Sequence, residues 1–118
     1  YPLSYALNMG YYLIYDPATR ADGGAAFSPN TRRKHAEYTD GLSNTLAMAE
    51  VKAFTPRVHD ATLPSTPPAG AGAVSGSIMG GSWSATNGHT EWVCGRAIHN
   101  GFTTRFTPNT RVPHDVSG

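Results

Sequence analysis

The apolar positions of this chain fall into three zones with different periods. In the first, YPLSYALNMGYYLIY at 1–15, five tyrosines and several large apolar residues surround Gly10. Aromatic enrichment and the central glycine predict strands around a bulge or turn. A helix over 3–9 is the alternative and is poor beyond Gly10. In the second zone, TDGLSNTLAMAEVKAF at 39–54, the pattern is ambiguous. Ala47, Ala49 and Glu50 suit a helix with Ser43 as N-cap, whereas Leu46, Met48 and Phe54 do not settle the period. The preferred reading is a helical turn at 41–45 leading into a strand at 46–54. In the third zone, HTEWVCGRAIHNGFTTRFTP predicts a hairpin. Its strands are 89–98 and 102–107, joined at Asn100-Gly101, because Asn-Gly between β-rich runs is a strong hairpin signal. Trp83, Trp92, Phe102 and Phe106 are expected to supply core or hairpin contacts.

Between these zones the chain is turn chemistry. DPATRADGG at 16–24 places Pro17 to fix a turn. FSPNTR at 27–32 and FTPNTR at 106–111 are nearly the same six residues. In each, Pro presets φ, Asn tolerates the left-handed region and Thr caps the segment after it, with Phe as a core anchor. Their flanks do not match, so the echo reads as a turn used twice rather than a duplicated site. The stretch 55–82 is rich in Pro, Gly, Ala and Ser. It predicts a flexible excursion, since such a composition buries too little apolar surface to fold alone.

Composition narrows the class. At 118 residues the expectation is a single domain, 1–118, with flexible loop 55–82. The fold class expected is α+β, mainly β, with an antiparallel sheet, a C-terminal hairpin and a long Pro/Gly-rich loop. Charged residues are only 14% of the chain and the net charge is +1, so no basic footprint for nucleic acid exists. Arg32, Arg33 and Lys34 read as a solvated loop. One cysteine, Cys94, excludes an internal disulfide and any Cys-rich zinc module. No apolar run of membrane-spanning length occurs. The chain starts at Tyr1 without Met, which suggests a processed product or a fragment of a longer precursor.

Residue patterns that carry chemistry are few. His89-Thr90-Glu91 has the H-x-E form of zinc deaminases but lacks their further thiolates. On a strand His89 and Glu91 share a face, and a hydrogen-bonded pair is favoured over a weak metal site. Cys94 and His99, five apart on one predicted strand, fall on opposite faces, so a packed thiol is favoured over a thiol–imidazole dyad. No catalytic set, metal site or cofactor is expected, and the protein reads as a non-enzyme. Asp40, Ser43, Asn44 and Thr45 are dense in short polar side chains, and His89, Glu91 and Arg96 offer matching donors and acceptors. These loops, 39–45 and 88–96, are expected to pack into one site. Its functional form is a binding site of Asp40, Ser43, Asn44, Thr45, His89, Glu91 and Trp92; its structural form, the preferred one, staples turn to sheet.

SYALNMG at 4–10, TDGLSNT at 39–45 and GHTEWVCGRAIHNGFTTRFTPNT at 88–110 together resemble a family of unknown function abundant in planctomycetes. The family also carries a bacterial solute-binding label, and its full-length members look like type IV pilins or type II secretion pseudopilins. The resemblance implies a pilin-like globular head lacking its N-terminal hydrophobic helix. It implies an extracytoplasmic structural subunit that self-associates or joins other pilin-like subunits into a filament or secretion-related complex. The alternative is an extracytoplasmic binder of small solutes or carbohydrates, with Tyr11, Tyr12, Asn44, His89 and Trp92 around its pocket. Membrane association is expected only through the missing helix, and no nucleic acid partner. In the family, the stretch matching 92–96 usually reads Trp-Val-Asp-Gly-Arg, so Cys94 stands where an Asp is expected. The family's usual ending, a His, a nine-residue spacer and Asp-Gly, is lacking.

Overall fold

The computed structural model describes residues 1–113. Among these residues seven short strands carry the fold: β1 Tyr5–Gly10, β2 Tyr15–Asp16, β3 Ala21–Asp22, β4 Met48–Glu50, β5 Thr55–His59, β6 Ser82–Gly88 and β7 Gly101–Thr103. Two one-turn helices, α1 Val74–Ser77 and α2 Ala97–Asn100, and three 3-10 turns complete it. The class is α+β and mainly β, with antiparallel pairs in both halves of the chain. β1 is the centre of a three-stranded sheet ordered β4-β1-β7. It runs antiparallel to β4, with Leu7 opposite Met48, and parallel to β7, with Leu7 opposite Gly101. The β1/β7 register shifts between Asn8 and Gly10, the irregularity that the glycine suggested. β2 and β3 close a hairpin over the 16–22 turn, where Asp16 Oδ1 accepts the Ala18 N–H at 2.9 Å.

The buried face of β1 carries small residues, Ala6, Asn8 and Gly10, because other backbone crosses it closely. The Phe27 N–H donates to Asn8 O, and the Tyr11 N–H to Gly23 O. A β-carbon on Gly10 would lie 3.0 Å from Gly23 Cα, and one on Gly23 would lie 2.5 Å from Met9 O. The core is therefore built of close main chain rather than large side chains, and among the described residues none of the large side chains is fully buried.

Several expectations need correction. The C-terminal antiparallel pair is β5/β6, with Val58 opposite Trp83, and not 89–98 against 102–107. β6 ends at Gly88, and His89 enters the left-handed region at φ 54°, which a continuing strand cannot accommodate. A turn comes next, closed by the Cys94 N–H to Glu91 O, and then α2, whose His99 and Asn100 N–H groups both reach Arg96 O. Asn100 thus ends a helical turn, and Gly101 opens β7. The predicted strand at 46–54 contracts to Met48–Glu50, and Phe54 at φ 58° separates it from β5. The helical turn at 41–45 is present as a 3-10 turn at Leu42–Asn44 with Gly41 as its N-cap, and the alternative helix over Ala47–Glu50 that Ser43 would have capped is not formed. The stretch 55–82 is not loop throughout. Its first five residues form β5, and Thr62 bridges Met79 to close the excursion from within. Trp83 and Trp92 are exposed and do not enter a core, while Phe102 and Phe106 are half-buried.

The two F-[ST]-P-N-T-R turns do repeat. Asn30 and Asn109 adopt φ 56° and 62°, and each neighbouring Thr hydroxyl donates backward to the carbonyl before the Pro, Ser28 O and Thr107 O. The Thr thus closes its own turn instead of capping the next segment. Phe27 is exposed rather than an anchor.

Candidate functional site

The residues singled out by the sequence lie in two places. Asp40, Asn44 and Thr45 line a polar hollow of about 300 Å³ together with Asn8, Arg33 and Glu37. Locally the 39–45 segment is tied to itself: Asn44 Nδ2 donates to Asp40 O at 2.8 Å, and Thr45 Oγ to Gly41 O at 3.0 Å. Ser43 sits exposed within the same turn and does not line the hollow. Asn8 fastens the segment to the sheet by donating from Nδ2 to Leu46 O at 3.0 Å. Arg33 Nη2 pairs with Asp22 at 2.9 Å, while its Nε is buried without a partner. The hollow presents charges of both signs and several amide or hydroxyl groups, a lining suited to a small polar solute.

His89 lies elsewhere, in a broader groove of about 790 Å³ with Leu46, Ala49, Phe102, Arg105 and Phe106. Among the described residues no hydrogen bond or ion pair joins 39–45 to 88–96. The expected single site is therefore two separate ones. The polar side chains of the loop find their partners in its own turn, and it is the chain just beyond it, at Leu46 and Ala47, that Asn8 of β1 holds. The expected His89–Glu91 pair is absent for the same reason that the strand is absent. His89 Nδ1 meets His99 O at 2.9 Å, and Glu91 turns to His99, its Oε2 lying 3.8 Å from Nε2. Trp92 is 58% exposed, its N–H donating to Tyr1 O.

Of the two pocket tyrosines expected in a solute binder, Tyr11 accepts from Arg105 Nη1 at 2.9 Å. The Tyr12 hydroxyl is buried without a partner, and burial pushes its pKa up against the lowering influence of Arg105. Neither lines the polar hollow.

Sequence reasoning missed one grouping. Glu91, Cys94 and His99 each bring one ligand-type atom to within 4.8 Å of the other two. The strand assumption had put Cys94 and His99 on opposite faces; the 91–94 turn and α2 bring them to the same side. His99 is only 2% exposed, its Nδ1 within 3.4 Å of the Thr90 N–H and 3.5 Å of the Thr90 hydroxyl. Asn100 Nδ2 clamps Cys94 O and Trp92 O, which holds the turn against α2. The legible signal was the Glu-x-x-Cys spacing, which suits a turn as well as a strand.

The fold and hollow define a small mainly β domain with a polar surface cleft and a separate thiol–imidazole–carboxylate cluster. Residues 2–117 match the family described as protein of unknown function (DUF1559), whose short form SBP_bac_10 carries the solute-binding label, and the chain belongs to it. Comparison with curated proteins gave no match, and comparison with solved structures gave none. Among the described residues no helix is long and apolar enough to cross a membrane.

Proposed function

We propose that the chain is a non-catalytic, extracytoplasmic structural subunit, pilin- or pseudopilin-like, which assembles with further copies or related subunits into a filament or secretion-related complex. The observation that carries this reading is the distribution of large apolar residues. Leu42, Leu46, Met48, Phe54, Trp83 and Trp92 are each at least 40% exposed. Where such residues adjoin, the apolar patch they form marks an interaction face. β4 also lies at an edge of its sheet, so its outer backbone groups are free to pair with another chain. Repetition of such a contact between different faces of successive copies produces a fibre. The motif resemblance to pilin-like planctomycete proteins supports the same reading.

Sedimentation velocity over a concentration series tests it. Association that rises with concentration and drops in Met48→Lys is expected. A monomer at every concentration, alone and with candidate partner subunits, overturns the proposal. Turnover in a broad hydrolase screen, abolished by His89→Ala, overturns its non-catalytic part.

A second reading, binding of a small polar solute, is favoured by the hollow beneath the 39–45 loop and by the family's label. Calorimetric titration with monosaccharides and amino acids discriminates. Saturable binding lost in Glu37→Ala and kept in Arg96→Ala would replace the assembly reading.

A further inference from the structure

We propose that Glu91, Cys94 and His99 form a divalent metal site selective for zinc, independent of either functional reading above. A thiolate, an imidazole and a carboxylate are the three donor types that zinc takes in tetrahedral sites, and a thiolate in the set disfavours magnesium and calcium. Bonds of about 2.0–2.3 Å put neighbouring ligand atoms roughly 3.3–3.8 Å apart around a tetrahedral ion. For a nitrogen and an oxygen that spacing is roughly 3.3–3.6 Å, so the His99 to Glu91 separation of 3.8 Å needs to close by only a few tenths of an ångström. The widest separation in the trio, within 4.8 Å, needs closure by about 1 Å.

The side chains are unequal in a way that serves the purpose. His99 is buried and fixed, whereas Glu91 is exposed at the start of a turn and free to swing. Cys94 ends that turn, held by its own N–H to Glu91 O and by the Asn100 amide. In the ion-free chain His99 Nδ1 accepts the Thr90 N–H at 3.4 Å. Zinc at Nε2 therefore requires the other tautomer, with the Nδ1 proton given to the Thr90 hydroxyl at 3.5 Å in place of that backbone contact while the hydroxyl donates to Asn87. A partner on the second nitrogen of this kind orients a metal-bound histidine. The Cys94 thiol gives up its proton to solvent as the ion binds. Water occupies the fourth position. The bound ion would cross-link the 91–94 turn to α2, which contain no continuous hydrogen-bond ladder of their own.

Cobalt(II) titrated into the reduced chain tests the site directly. One ion per chain is expected, with a thiolate-to-cobalt band in the near ultraviolet and tetrahedral bands in the visible, both removed by zinc. Cys94→Ser should abolish the near-ultraviolet band. Glu91→Gln should keep that band and weaken binding ~10-fold or more, by analogy with the sensitivity of metal sites to lost supporting groups. Both positions lie on a surface turn, and melting curves in chelator verify that the variants fold. His35→Ala, remote from the cluster, should bind as the parent does. Absence of the thiolate band at cobalt concentrations up to about 1 mM, an affinity corresponding to only ~4 kcal/mol, overturns the site. Unchanged affinity in Glu91→Gln overturns its three-ligand form.

Discussion

Asn30 and Asn109 each occupy third place in a turn that starts with a hydroxyl residue and Pro, with φ of 56° and 62°. Asn enters this region at small cost because its short amide bonds locally, whereas a β-carbon without that compensation is disfavoured. Asn109→Ala should therefore lower stability by about 1 kcal/mol while Asn109→Gly leaves it nearly unchanged, as read from urea midpoints. This turn was legible in the sequence because its conformation is set by three adjacent residues. The role of Asn8 was not legible. It is a polar residue 8% exposed in the middle of β1, donating to Leu46 O and accepting from the Gly10 N–H. Its partner is 38 residues away, and nothing local announces it. Asn8→Ala leaves buried backbone groups unpaired and should cost about 1–3 kcal/mol, again by chemical denaturation.

Elements were legible where their own residues decide them and illegible where a single backbone break overrides the pattern. The 16–24 turn, the irregularity near Gly10 and the helical turn at 42–44 are all set by nearby Gly, Pro and Asp. The 89–98 segment reads as a strand because Trp, Val and Ile favour one, yet left-handed His89 and the 91–94 turn end it. The same misreading hid the Glu91–Cys94–His99 cluster, since side-chain faces depend on the element assigned. The predicted joining of 39–45 to 88–96 failed because hydrogen-bonding capacity does not specify which partner satisfies it. The crossing of Gly10 and Gly23 is a test at this scale. A methyl group on Gly23 meets Met9 O, Leu13 O and Gly10 Cα, all backbone, so no side chain can yield. Gly23→Ala should cost about 1–3 kcal/mol, typical of overpacking. Gly72→Ala, where nothing lies within 4 Å, should be close to neutral.

Across the molecule, the 60–81 excursion is tied down by charged groups at two points. Ser65 donates to Asp16 Oδ1 at 3.2 Å, and Pro68 O accepts from Arg105 Nη2 at 2.6 Å. Arg105 also lies over the Tyr11 and Phe106 rings, at 5.6 and 5.4 Å. A lysine has neither the fork nor the flat face for this combination. Arg105→Lys should therefore speed limited proteolysis within 60–81 almost as much as Arg105→Ala does. The Ala18 N–H holds the Asp16 carboxyl below its ordinary pKa, against the opposing effect of burial, with Thr19 and Ser65 adding to the lowering. A depressed pKa contributes stability above the ordinary carboxylate range and loses it as pH falls through the lowered value. Asp16→Ala should then be less stable near neutral pH but flatter toward about pH 2, measured by denaturation at both. The central strand carries a further consequence, for synthesis. β1 is translated before both of its neighbours, which come from 48–50 and 101–103. At about 5–20 residues per second, roughly 5–20 s separate β1 from its parallel partner on the ribosome. Throughout that interval one side of β1 is bare, and a chain released before Thr103 keeps it bare for good.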